Sequence, residues 1–160
     1  MFRNNIHLLH KQPQARAWIQ GSSKYPQIRG TVNLYQTNSG VLIAAEVWGL
    51  PKESSFLGFH VHESGHCDGD TGDPLSHVGA HYNPDHTEHP HHAGDLPPLM
   101  NNGGRALSIF MTDRFTVHEV IGRAFIIHAS PDDFITQPSG NSGEKIACGI
   151  ILYNKNNCSK

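Results

Sequence analysis

This amino-acid sequence reads as a single all-β domain, a sandwich or a barrel of antiparallel strands. Three features carry that reading. Turn formers are abundant, with 16 Gly and 10 Pro, and only 16% of the chain is charged. Short apolar segments with strand-like alternation recur between those turn residues, and no long amphipathic pattern interrupts them. At 160 residues the chain can bury one good core and is too short for two.

A first strand is expected at 15–19, then 28–35 and 41–48, with Gly40 and Gly49-Leu50-Pro51 as punctuation. A further strand falls at 56–63. From 64 to 95 the periodicity disappears into Gly, Asp, Pro and His, and a structureless stretch of that length marks a functional or ligand-ordered loop. Strand patterns resume at 96–100, 105–111 and 115–121, and again at 124–128 after Gly122-Arg123. A second irregular stretch, 129–144, precedes the last strand at 145–153. There is no internal repeat. The domain is assigned to 15–153, between a polar leader (1–14) and a polar tail (154–160).

The formal net charge of −2, without any run of Lys or Arg, excludes a nucleic-acid footprint. No segment reaches membrane-spanning length. Residues 1–13 lack the apolar core of a signal peptide, so the chain as written is expected in the cytoplasm. A trimmed, mature form would instead belong outside it.

Histidine is the anomaly. Of 13, most fall between His60 and His92, interior and interrupted, unlike a tag. In Gly58-Phe59-His60-Val61-His62-Glu63, strand alternation points His60 and His62 to one side, with Phe59 and Val61 on the other as anchors. Imidazole is the commonest metal ligand and suits copper and zinc. Two further sources of ligands follow: the loop from His81 to Asp95, and His128 at the end of Phe125-Ile126-Ile127-His128. Three His and one carboxylate from the loop would satisfy tetrahedral zinc and order a segment that cannot bury apolar surface. Copper would be served by His60, His62, His128 and one more imidazole. Plainer roles fit the rest. His66 and His77 decorate a solvated loop, His118 sits exposed on an alternating strand, and His7 and His10 belong to the leader. Trp18 and Trp48 are expected to pack on the sheet, and Arg123 to serve turn and loop packing.

Five motifs occur in order: Gly58 to Glu63, Gly79-Ala80-His81-Tyr82-Asn83-Pro84, Gly94-Asp95-Leu96, Gly122-Arg123 with His128, and Gly140-Asn141-Ser142-Gly143 with Ala147-Cys148-Gly149. Together, over roughly 15–153, they resemble the copper/zinc superoxide dismutase family. Asp95-Leu96-Pro97-Pro98-Leu99 and the compact loops look like bacterial members. The resemblance implies an eight-stranded antiparallel Greek-key β-barrel with two long functional loops. It implies an oxidoreductase that converts superoxide to oxygen and hydrogen peroxide, alternating Cu(II) and Cu(I) beside a zinc-held bridging histidine. Family members are often dimers, so a homodimer is one expected state.

Carried over by residue, copper falls to His60, His62, His81 and His128. Zinc falls to His81, His89, His92 and Asp95, with His81 bridging. The interval from His89 to His92 is shorter than in animal members, and His86 and His91 stand beside them as alternatives. Asp132 takes the place of the carboxylate that links copper and zinc ligands through their free ring N–H groups. Cys67 and Cys148 correspond to the intrasubunit disulfide, which leaves Cys158 as a free thiol in the tail. Lys145 stands where the family has its anion-guiding arginine. The positive charge is kept but the planar fork is lost, and weaker steering is expected. Glu144 beside it would weaken the field further if it pointed inward.

Overall fold

The computed structural model describes residues 5–154; Cys158 lies outside the described residues. Period-two burial builds the framework. Strand β1 (Ala15–Gly21) turns Ala15, Ala17 and Ile19 inward, and β2 (Arg29–Thr37) does so with Val32 and Leu34. In β3 (Gly40–Trp48) the inward set is Val41, Ile43, Ala45 and Val47. The remaining strands are β4 (Phe56–Leu57), β5 (Phe59–His62), β6 (Leu99–Met100), β7 (Arg105–Thr112), β8 (Ala124–His128) and β9 (Lys145–Tyr153).

Seven strands form one antiparallel sheet in the order β5-β8-β9-β1-β2-β3-β7, and β4 pairs with β6. The chain runs from β4 into edge strand β5 across Gly58, and from β6 into the opposite edge strand, β7. This short ladder therefore joins the two edges of the curled sheet and closes it into a barrel. Counting β4 and β5 as one strand broken at Gly58 gives the eight expected. The β3–β7 pairing, which skips the strands between, is the Greek-key crossover.

The core beneath the site is aromatic and aliphatic. Phe59 and Phe125 stack with centroids 5.1 Å apart, and both are fully buried with Val61, Ile127 and Ile146. Burying each such side chain contributes roughly 1.5–3 kcal/mol. They fix β5 and β8, and with them three of the histidines.

The structure departs from the sequence reading in several places. Residues 115–121 form no strand; Val117–Val120 is a single helical turn, α1, that buries Val117 and Val120. Thr116 and Glu119 close a capping box at its start, and a buried i, i+3 pair outweighs the local alternation. His118 is exposed as expected, with Nδ1 2.8 Å from the Tyr153 hydroxyl. Of 96–100, only Leu99–Met100 pairs, because Pro97 and Pro98 offer no backbone donor. Trp18 and Trp48 lie on the outer face, 62% and 41% exposed, and add nothing to the core. The guanidinium of Arg16 covers the Trp18 ring at 5.3 Å. Ahead of β1, Ile6–His10 forms a 3-10 helix.

Candidate metal centre

Backbone pairing brings the site together. Val61 donates to the Gly94 carbonyl and accepts from Tyr82 N–H, so both ends of the His-rich loop bond to the free edge of β5. Isolated bridges then set His81 beside His62 and Asp95 beside His60. On the other edge, β8 pairs with β5 and ends at His128, where the β8–β9 register shifts at a bulge. Gly94 permits the close approach: a Cβ there would lie 2.3 Å from the Val61 carbonyl oxygen.

Two groups of side chains result, each with one ligand atom per residue within 4.8 Å of the others: His60, His62, His81 and His128; and His81, His89, His92 and Asp95. All seven residues are buried, and His81 belongs to both groups. His86 and His91 are exposed and belong to neither, as do His66 and His77.

Hydrogen bonds aim the rings. His62 Nδ1 donates to the Gly79 carbonyl at 2.9 Å and His128 Nδ1 to the Gly143 carbonyl at 3.2 Å, leaving two Nε2 lone pairs 3.4 Å apart. His60 Nε2 donates to Asp132 Oδ2 at 2.8 Å and His89 Nε2 to Asp132 Oδ1 at 2.9 Å. One carboxylate thus orients a ring in each group and turns both Nδ1 atoms inward. Gly140, at φ 66°, makes room for it, since a Cβ would fall 1.9 Å from Asp132 Oδ1. Asp95 accepts from His81 Nδ1 at 2.7 Å and from the His92 backbone N–H at 3.0 Å.

His60 Nδ1, His81 Nε2, His89 Nδ1 and His92 Nδ1 are buried without a hydrogen-bond partner. The His89 and His92 atoms lie 3.1 and 3.3 Å from Asp95 Oδ2 without hydrogen-bond geometry, and a buried polar group left wholly unsatisfied, as at His60 and His81, costs about 1–3 kcal/mol. Convergent acceptors of this kind fit cations: an all-imidazole set for copper, and three imidazoles with a carboxylate for zinc. Burial, opposed by the hydrogen bond to Asp132, leaves His60 below the usual histidine range. Burial also holds His62 well below it and pushes His128 down to about 3. All three keep their lone pairs at neutral pH. Burial alone would raise Asp95 and Asp132, but hydrogen bonds reverse this. Asp95 lies below the carboxylate range, chiefly through His81, and Asp132 falls to about 2 through His60, Phe134 N–H and His89.

Cys67 and Cys148 are joined as a disulfide that ties the loop after β5 to β9. Lys145, at the start of β9, is the register partner of His128, and its ammonium bonds to Asp73 Oδ2. Glu144 beside it accepts from Lys24 at 2.6 Å and from the Tyr25 hydroxyl at 3.3 Å. Arg123 serves packing: it lies 3.9 Å above the Tyr82 ring and donates to the Glu63 carbonyl.

Two residues escaped the sequence reading. Arg114 Nη1 donates to the carbonyls of Pro90, His92 and Asp95 at 3.0–3.1 Å, clamping the loop that carries the second group. Gln137 exchanges two hydrogen bonds with the His89 backbone. A cleft of about 780 Å³ beside Trp18 and the disulfide contains none of the seven ligands.

Comparison with known proteins agrees with this geometry. Residues 28–151 match the family described as copper/zinc superoxide dismutase (SODC). "Superoxide dismutase [Cu-Zn] 2" of Aquifex aeolicus is 35% identical over 140 residues, covering 78% of this chain and 80% of that protein. "Superoxide dismutase [Cu-Zn]" of Photobacterium leiognathi is 33% identical over 136 residues, covering 76% and 78%. The crystal structure of a SOD-like protein from Bacillus subtilis superposes with a TM-score of 0.72 at 30% identity, over 86% of this chain and 97% of that one. With the fold, the two ligand groups and the sequence all in agreement, the chain belongs to the copper/zinc superoxide dismutase family.

Proposed function

We propose that this chain is a superoxide dismutase in which His60, His62, His81 and His128 hold copper, and His81, His89, His92 and Asp95 hold zinc. The observation that carries this reading is His81, whose ring belongs to both ligand groups. Copper, when bound, supplies the one-electron chemistry by which two superoxide anions become oxygen and hydrogen peroxide, and zinc supplies a fixed positive charge.

The chain's own residues do the rest. His81 Nε2 is the atom at which a proton is held and given to the departing peroxide, and its other nitrogen is kept in place on the Asp95 side. Solvent protons complete the balance of two per two superoxide. Asp132 fixes the orientation of His60 and His89, one ring in each ligand group. Lys145, beside His128, lends positive charge to the approach of a small anion.

The disulfide supports residence in an oxidising compartment. Homodimer assembly belongs to the same reading, supported by apolar side chains left exposed at Trp18, Leu107 and Leu152. Metal analysis combined with a dismutation assay tests the function. One copper and one zinc per chain with fast dismutation is expected. Zinc in both sites of an inactive, copper-reconstituted protein would sink it.

A further inference from the structure

We infer that Asp73 is a brake on substrate attraction: by holding the Lys145 ammonium in an ion pair, it sets how strongly the copper side of the molecule draws a small anion. This rests on the dismutase reading above. Lys145 starts β9 opposite His128, and its Nζ bonds to Asp73 Oδ2. Asp73 is itself held: Oδ1 accepts from Leu75 N–H at 3.0 Å, and its carbonyl accepts from Ser76 N–H at 3.1 Å. The loop that carries it is pinned to β9 by Cys67–Cys148, three residues beyond Lys145. The carboxylate is therefore a fixed feature of the site.

Charge pairing extends across the cleft of about 350 Å³ lined by Lys24, Gly72, Asp73, Gly143, Glu144 and Lys145. Its other cation, Lys24, is matched by Glu144 at 2.6 Å. Two cations facing two carboxylates leave little net field beyond the ion pairs, because opposite charges in contact cancel at the distances over which an anion is steered. Lysine makes this pairing consequential. Its ammonium is one compact charge on a flexible stem, unlike a guanidinium, whose five donors can bond one partner and face a second. Asp73 thus acts through Lys145 as a positioning residue and has no contact with the ligand groups.

The test uses copper- and zinc-loaded wild type, Asp73→Asn, Asp73→Glu and the double variant Asp73→Asn/Lys145→Gln. Two quantities are read: the rate constant with superoxide across ionic strengths, and the affinity for azide from the copper absorption band. In Asp73→Asn, both the low-salt rate constant and azide affinity are expected to rise about two- to tenfold, and the rate to fall more steeply with salt. Asp73→Glu should restore wild-type behaviour, and the double variant should lose the gain. Unchanged or lower values in Asp73→Asn overturn the inference, as does a gain that survives in the double variant. If wild type fails to dismute superoxide while azide affinity rises as stated, the dismutase reading fails and the role of Asp73 stands.

Discussion

His60 and Asp132 share a 2.8 Å hydrogen bond in which neither side chain is exposed to solvent. The bond commits His60 Nε2 as donor and leaves Nδ1 as the acceptor among the first ligand group. The second Asp132 oxygen repeats the arrangement with His89. An amide presents only one accepting oxygen, so Asp132→Asn leaves one of the two rings unsupported. Affinity for at least one metal should fall about 10–100-fold, measured by competition with chelators. Wild-type affinity for both metals would remove Asp132 from the account.

Arg114 holds the second ligand group from outside, through the backbone of Pro90, His92 and Asp95. Arg114→Ala should weaken zinc retention about tenfold while copper affinity changes less, and Arg114→Lys should recover part of the loss. Zinc release to a chromophoric chelator reads this directly. Equal loss of both metals would indicate general destabilisation instead.

The metal-free protein should lose stability as pH falls from about 6.5 toward 3. His60, His62 and His128 have folded values below those of the unfolded chain, so above that window both states are neutral and nothing is contributed. Within it, the unfolded chain binds protons that the folded chain refuses, at a cost on the order of 1 kcal/mol per pH unit for each group. Asp95 and Asp132 act at the acid end: their lowered values give stability that is present above the unfolded carboxylate range and lost as pH falls through the folded values. Urea midpoints measured from pH 7 to 3 check this, and a flat profile between pH 6.5 and 4 would refute it.

The Cys67–Cys148 bridge spans 81 residues. In the chain-entropy model, closing a loop of that size contributes about 4–5 kcal/mol. A Cys67→Ser/Cys148→Ser protein should therefore unfold at a much lower denaturant concentration. The disulfide loop, which carries Asp73, should also show faster amide exchange. Protection equal to wild type would mean that packing of Leu75 and Val78 alone holds the loop.

Much of this site was legible because its ligands sit where local rules apply. His60 and His62 share a strand face, and His128 ends an apolar run, so each could be placed from its neighbours. The family spacing puts zinc on His89 and His92 with His86 and His91 beside them as alternatives, and burial separates the two pairs. Arg114 and Asp73 were invisible for a different reason. Arg114 acts on backbone carbonyls, which leave no sequence signature, and Asp73 meets a partner 72 residues away. The helical turn at Val117–Val120 had a readable signal in Thr116 and Glu119, but four residues of alternation obscured it. Trp18 and Trp48 read as packing residues because size alone does not reveal which face of a sheet is covered.

In the proposed dismutase, His81 serves both metals through its two ring nitrogens. Cobalt(II) placed in the zinc position, with copper(II) in its own, tests this by electron paramagnetic resonance. A shared imidazole couples the two unpaired-spin centres, so the copper signal should collapse in the mixed-metal protein and return when cobalt is replaced by zinc. A copper signal of full intensity with cobalt bound would mean that the two metals share no imidazole.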